Sequence, residues 1–426
     1  MIEALTDWNE WWTNNTIDSE LVGRPRQLTQ QADDLFAFKE IKIITGLRRS
    51  GKSTLLYQIV NDLLIRKKIS PSHILFINFE DPQLSQTTLE ELINTYQTHI
   101  NPNEKPHLFL DEVHRCKEWA LFLRKLYDLR KIQQVFITDS SSKFIKSEYA
   151  TVITGRAITI NVFPLSFQEY LTWKNITATP PFAQKNINKI KHHLNKYLRW
   201  GGLPEVILKN SEAQKKILLN DYLSDIVHKD IVERYNVNFN KIKTLVDYLV
   251  TNPGALFSPR KYSRTSGMSL DALHTYLGYL EEVFFIHTIP KFSYSLRTQQ
   301  ITPKKIYVSD TGFFGGAKSL FTENIGHLYE NAVLINILRN NKEVYYWKDK
   351  AECDFIVKEG KRVTAAIQVC STLKDAQRER EMNGLLEAMQ KLKITQGVLI
   401  TTDIEKIEKI GGHTIQYVPL WKYLLM

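Results

Sequence analysis

The stretch "TGLRRSGKSTLLYQI", residues 45–59, sets two glycines five apart, then a lysine and a serine, between two apolar runs. Gly46 to Ser53 fits G-x-x-x-x-G-K-[ST], the spacing of a phosphate-binding loop. The run before it (41–45) reads as a buried strand and the run after it as an amphipathic helix. Glycine lets backbone N–H groups curl around phosphate oxygens, and the helix N-terminus adds roughly half a positive charge at the same place. Lys52 is expected to bridge the β- and γ-phosphates, and Ser53 to ligate Mg²⁺. Gly46, Arg48, Arg49, Ser50, Gly51, Lys52, Ser53 and Thr54 form the candidate nucleotide-binding set. Arg48 and Arg49 keep three readings open: nucleotide, DNA or solvent.

Working outward, "HILFINFE" (73–80), "HLFLDE" (107–112), "QVFIT" (134–138) and "AITINVF" (157–163) are further apolar runs without strict alternation. That pattern belongs to parallel strands buried on both faces, and the helical stretches between them predict a doubly wound α/β domain. "HLFLDE" ends in two acids. Burying two acids costs roughly several kcal/mol unless they are paired or face a metal. Asp111 is therefore the expected Mg²⁺ ligand through water, and Glu112 the general base that polarises the attacking water. The next strand runs into Thr138, Asp139 and Ser140, of which Ser140 is preferred as the polar residue between phosphates and water. Arg156, in "TGRAITI", is a candidate arginine finger acting in the same subunit or a neighbour, or a surface residue after a glycine turn.

"GLRRSGKSTLL", "LFLDEVHRCKEW", "FITDSSS", "TGRAITINVFPLSFQEYL" and "GGLPEV" resemble the AAA-type P-loop ATPases of archaea and anaerobic bacteria, in which a domain of unknown function follows the ATPase. The resemblance covers nearly the whole chain and implies binding and hydrolysis of ATP with Mg²⁺. The family pattern after the sensor strand is T-G-S-S-S; here Asp139 replaces the glycine.

Four segments are expected: an ATPase domain (1–175), a helical extension with a linker at 176–184 (176–239), a winged helix (240–316) and a nuclease-like domain (317–426). Residues 240–312 read as three helices and a two-stranded ribbon with a net charge of +4. Arg260, Lys261, Arg264, Arg297, Lys304 and Lys305 cluster where such a fold meets phosphates. The last hundred residues read helix–strand–strand–strand–helix–strand and resemble the PD-(D/E)xK nuclease core. The matching positions are Glu330, Asp354, Gln368 and Cys370. Gln ligates metal weakly, and Cys supplies no positive charge in place of lysine, so cleavage is not expected.

Composition bounds these readings. Apolar residues make up 43% of 426, net charge is +10, and the three cysteines lie far apart. A disulfide framework or zinc ribbon is not supported, and a reducing cytoplasm fits. No apolar run of membrane-spanning length occurs, and the start has no signal-peptide core. The expected fold class is α/β: a P-loop ATPase with a parallel sheet, then a winged helix and a restriction-nuclease-like domain. Three functions compete: an ATP-driven machine on DNA, branched DNA included; a nucleotide-dependent signalling or assembly ATPase acting on a protein partner; and an ATP-dependent nuclease. A homo-oligomer is expected if Arg156 acts in trans.

Overall fold

Five runs of Ile, Leu, Val and Phe become five parallel strands: β1 (Ile41–Thr45), β2 (Ile74–Asn78), β3 (His107–Asp111), β4 (Gln134–Asp139) and β5 (Ala157–Asn161). The computed structural model describes residues 1–30, 32–142, 152–178, 185–317, 325–371 and 375–426. The strand order is β2-β3-β4-β1-β5. Successive side chains alternate between two apolar layers: Ile43, Ile77, Leu110 and Ile137 enter one, while Ile44, Phe76, Phe109 and Phe136 enter the other. Both faces are covered, which is why the strands read as continuous apolar runs. Helix α1 (Lys52–Ile65) closes one face, and α2 (Leu89–His99) and α3 (Trp119–Asp128) close the other. The N-terminal segment is pinned to the edge strand. Trp11 and Trp12 donate to the Ile74 carbonyl at 3.3 and 2.9 Å, and the Asn9 side chain brackets the Phe76 backbone at 2.7 and 2.8 Å.

The chain falls into two compact units, residues 1–162 with 282–284, and residues 163–281 with 285–426. The helix Phe167–Trp173, held by a Ser166–Glu169 capping box, belongs to the second unit. Of the linker expected at 176–184, residues 179–184 lie outside the described residues. Helix α4 (Ile187–Trp200) then ends on the pair Gly201–Gly202. The reason for the pair is steric: a Cβ on Gly201, at φ +75°, would meet the Asp310 carboxylate at 1.6 Å. That carboxylate accepts the N–H groups of Gly202 and Gly312 at 2.7 and 2.8 Å.

Helices α5 (Phe239–Thr251), α6 (Pro259–Ser266) and α7 (Leu270–Glu282) accompany a small antiparallel sheet, β6-β8-β7, built from Leu256–Phe257, which lies between α5 and α6, and from Lys304–Val308 and Ile286–Ile289, which follow α7. The sequence reading of a two-stranded ribbon missed β6, which has two residues. It also missed helix α8 (Leu296–Ile301) between β7 and β8.

The C-terminal sheet has six strands in the order β13-β14-β12-β11-β10-β9. After helix α9 (Ile325–Arg339) come the antiparallel strands β9 (Glu343–Lys348), β10 (Glu352–Glu359) and β11 (Arg362–Cys370). Helix α10 (Asp375–Leu392) crosses to β12 (Gln396–Thr401), parallel to β11. A hairpin that the sequence reading did not foresee, β13 (Lys406–Ile410) and β14 (His413–Pro419), extends the sheet.

Candidate functional site

One strand, β4, separates the loop-bearing β1 from the acid-bearing β3, so the two lie about 10 Å apart. The loop turns sharply out of β1. Gly46 has φ +150°, and a Cβ there would meet the Val162 carbonyl oxygen at 2.2 Å, so glycine alone fits. Gly51, at φ +94°, caps α1, and Arg49 is also left-handed. Lys52 is 5% exposed and donates to the carbonyls of Gly46 and Leu47 at 3.0 and 3.3 Å. The buried hydroxyl of Ser50 has no hydrogen-bond partner. A loop whose lysine folds back on its own carbonyls, beside an unmatched buried hydroxyl, fits a phosphate group that would take over both contacts. Arg48 lies 3.7 Å from Glu80, and Ser53 and Thr54 are partly exposed in the first turn of α1.

Asp111 and Glu112 arrive at the end of β3. Burial, with Glu112 beside it, pushes the Asp111 carboxyl up to about 6, against hydrogen bonds from Thr138 and Ser53. Asp111 and Ser53, the two expected Mg²⁺ ligands, are therefore in contact, and a bound Mg²⁺ would neutralise phosphate charge there. Glu112 sits in the left-handed region at φ 51°, a turn that carries its carboxylate to 4.0 Å from the Lys52 ammonium.

Sequence reasoning offered Thr138 but preferred Ser140, and it missed His114 and Arg26. Thr138 donates to Asp111 at 2.5 Å and accepts the Glu112 N–H at 2.9 Å, so it fixes both acids at once. His114 Nδ1 lies 3.4 Å from both Glu112 Oε2 and Asp139 Oδ1. Arg26, 3% exposed, donates to the Ser50 carbonyl at 2.8 Å and braces the loop from behind. Ser140, the preferred polar residue, is fully buried just past β4; the β4 side chain that meets Asp111 is Thr138.

Arg156 needs correction as a finger acting within the same subunit. Its carbonyl accepts the Ile41 N–H, which places it at the start of β1, while the loop leaves the other end. Its guanidinium is engaged by Asp128 at 2.7 and 3.2 Å.

In the second unit, Arg260, Lys261, Arg264, Arg297 and Lys304 are exposed, and Arg260 and Lys304 share a cleft of about 740 Å³ with His274 of α7. Lys305 does not belong with them. Strand alternation turns it inward, where it is 3% exposed among acids. Its ammonium lies 2.8 Å from Glu352, 2.9 Å from Asp354 and 3.7 Å from Glu330. The other two nuclease-matching positions are also engaged or turned away. The Gln368 Oε1 accepts the Asp354 N–H at 3.1 Å, and its amide donates to Glu381. Cys370 faces the apolar core with Met382 and Leu385.

A family model described as an AAA domain matches residues 38–171. Two domains of unknown function follow, DUF8612 at 191–324 and DUF4143 at 325–423. "Uncharacterized protein MJ1544" of Methanocaldococcus jannaschii is 33% identical over 404 residues, 91% of this chain and 88% of that protein. An uncharacterized protein of Haemophilus influenzae is 29% identical over 422 residues, 94% and 98% of the two chains. Among solved structures, the Aeropyrum pernix ORC1 protein in complex with DNA covers 74% of this chain and 97% of its own at 9% identity and a TM-score of 0.29. Cdc6p from Pyrobaculum aerophilum covers 74% and 99% at 11% identity and the same TM-score. Likenesses this distant bear on neither function nor partner. No helix among the described residues is long and apolar enough to cross a membrane. The identity and coverage of the Methanocaldococcus relative settle the kinship: the chain belongs to the family of MJ1544, with an AAA domain at its N-terminal end.

Proposed function

We propose that this protein is a Mg²⁺-dependent ATPase whose turnover is coupled to DNA held by the second unit. The observation that carries the ATPase half is the joint placement of Lys52, Ser53, Asp111, Glu112 and Thr138. The chain's own groups divide the work. The loop backbone and Lys52 bind and orient the triphosphate. Glu112 takes a proton from the attacking water at its carboxylate, held in place by its backbone bond to Thr138 and by the neighbouring His114.

The DNA half rests on different support. The order helix, short strand, two helices, then two strands (α5, β6, α6, α7, β7, β8), with the three strands in one antiparallel sheet, supports a winged-helix reading, and five exposed cations lie on α6, α8 and β8. A pI near 9.2 favours a polyanion. The nuclease reading loses ground because Cys370 is turned into the core and Gln368 is engaged. A trans role for Arg156 would require a second copy and a broken Asp128 pair.

Steady-state ATP turnover, alone and with single-stranded, duplex and four-way-junction DNA, tests the coupling, with Lys52→Ala as blank. Stimulation by one form is expected. Turnover indifferent to every DNA form but dependent on protein concentration would transfer the assignment to a signalling or assembly ATPase.

A further inference from the structure

The acid cluster of the second unit is assembled from distant parts of the chain. Glu330 comes from α9, and Glu352 and Asp354 from β10; Lys305 enters from β8 of the small sheet. The four line one cleft of about 850 Å³, whose rim carries Lys348, Lys350 and Arg380. The carboxylates converge on one point, and the ammonium stands at that point. A divalent cation needs carboxylate oxygens at about 2.0–2.6 Å, so it cannot share that point with an ammonium.

Lys305 is also held from behind. Its backbone pairs with Leu256 on one side and Ile289 on the other. The small sheet is in turn tied to β9. The Phe292 N–H donates to the Tyr346 carbonyl at 2.7 Å, the Tyr346 N–H to Pro290 at 3.1 Å, and the Tyr346 hydroxyl to Pro303 at 2.5 Å. The strand that carries Lys305 is therefore fixed on both sides, and its sheet is fixed to β9.

We propose that Lys305 is the resident cation of this cluster, an internal ammonium that shuts the cleft to divalent metal and ties the small sheet to the C-terminal domain. The electrostatics agree. Burial opposes the charge on Lys305, yet Asp354, Tyr307, Glu330 and Glu352 hold it well above the ordinary lysine value. Burial works against Glu352, but Lys305 keeps its carboxyl below the usual range. Burial and the facing Asp354 push the Glu330 carboxyl up, against Lys305 and the Tyr307 hydroxyl.

The test is Mn²⁺ binding to the full chain without nucleotide, followed by electron paramagnetic resonance. Wild type should retain no Mn²⁺ that Asp354→Asn removes. Lys305→Met should gain one Mn²⁺, lost again in the Lys305→Met, Asp354→Asn double variant. Should Lys305→Met fail to fold, Lys305→Met with Glu330→Gln keeps the two flanking carboxylates and should gain the same ion. The proposal is overturned if wild type holds Mn²⁺ through Asp354, if wild type nicks DNA in a metal- and Asp354-dependent way, or if a folded Lys305→Met protein gains nothing. The wild-type measurements decide the matter even if neither lysine variant folds.

Discussion

Thr138 donates to Asp111 and accepts from Glu112, so its one hydroxyl sets the distance between the metal-side acid and the base. Thr138→Val removes both bonds with little change in shape. A hydrogen bond to a charged group is worth about 1.5–3 kcal/mol, so ATP turnover should fall roughly 10- to 100-fold while nucleotide affinity changes far less. Ser140→Ala should fall well short of that; equal losses from the two variants would return the role to Ser140. Asp310 offers a pH test at the same scale. Burial pushes its carboxyl up to about 7, against the two glycine N–H bonds. The folded state therefore holds a proton that the unfolded chain releases near pH 4. That contribution is complete below the unfolded value and disappears as pH rises through about 7. Asp310→Asn should flatten the decline in Tm between pH 4.5 and 7.5; an unchanged slope would assign the decline to other groups.

Helix α10 lies against β10 so closely that a Cβ on Gly384 would meet the Glu352 carbonyl oxygen at 1.9 Å. Gly384→Ala should lower stability by about 1–3 kcal/mol through displacement of the helix, despite alanine's better helix propensity. A gain in Tm would mean that the contact is looser than described. Elements differ in how plainly the sequence announces them. The parallel strands, the glycine loop and the acid pair are written in contiguous residues, because two-sided burial and phosphate binding constrain neighbours in the chain. Strand β6 has two residues and no hydrophobic pattern of its own; it exists because Leu256 and Phe257 pair with Lys305 and Lys304. The β13–β14 hairpin was likewise unread, since its exposed strand is mixed in charge.

Over the whole molecule, long-range placements were the least legible. Thr138 reaches Asp111 across 27 residues, and Lys305 reaches Asp354 across 49. Lys304 and Lys305 look alike in sequence, yet strand alternation sends one to solvent and the other into the acid cluster. The difference predicts separate phenotypes. Lys304→Ala should weaken DNA binding and reduce the slope of log K against log salt by up to about 1, with Tm unchanged. Lys305→Ala should lower Tm, because stranding a buried charge partner costs about 3–5 kcal/mol. If both change only the salt slope, Lys305 is a surface residue after all.

The central claim is that the loop, Asp111 and Glu112 form a hydrolysing site. It is tested most directly by ATP turnover with Mg²⁺ in wild type and Glu112→Gln, with ATP binding measured in parallel. A general base contributes about 10²–10⁴-fold, so Glu112→Gln should bind ATP as wild type does and hydrolyse it at least about a hundredfold more slowly. Equal turnover in the two proteins, or none in wild type under any condition, would contradict the account.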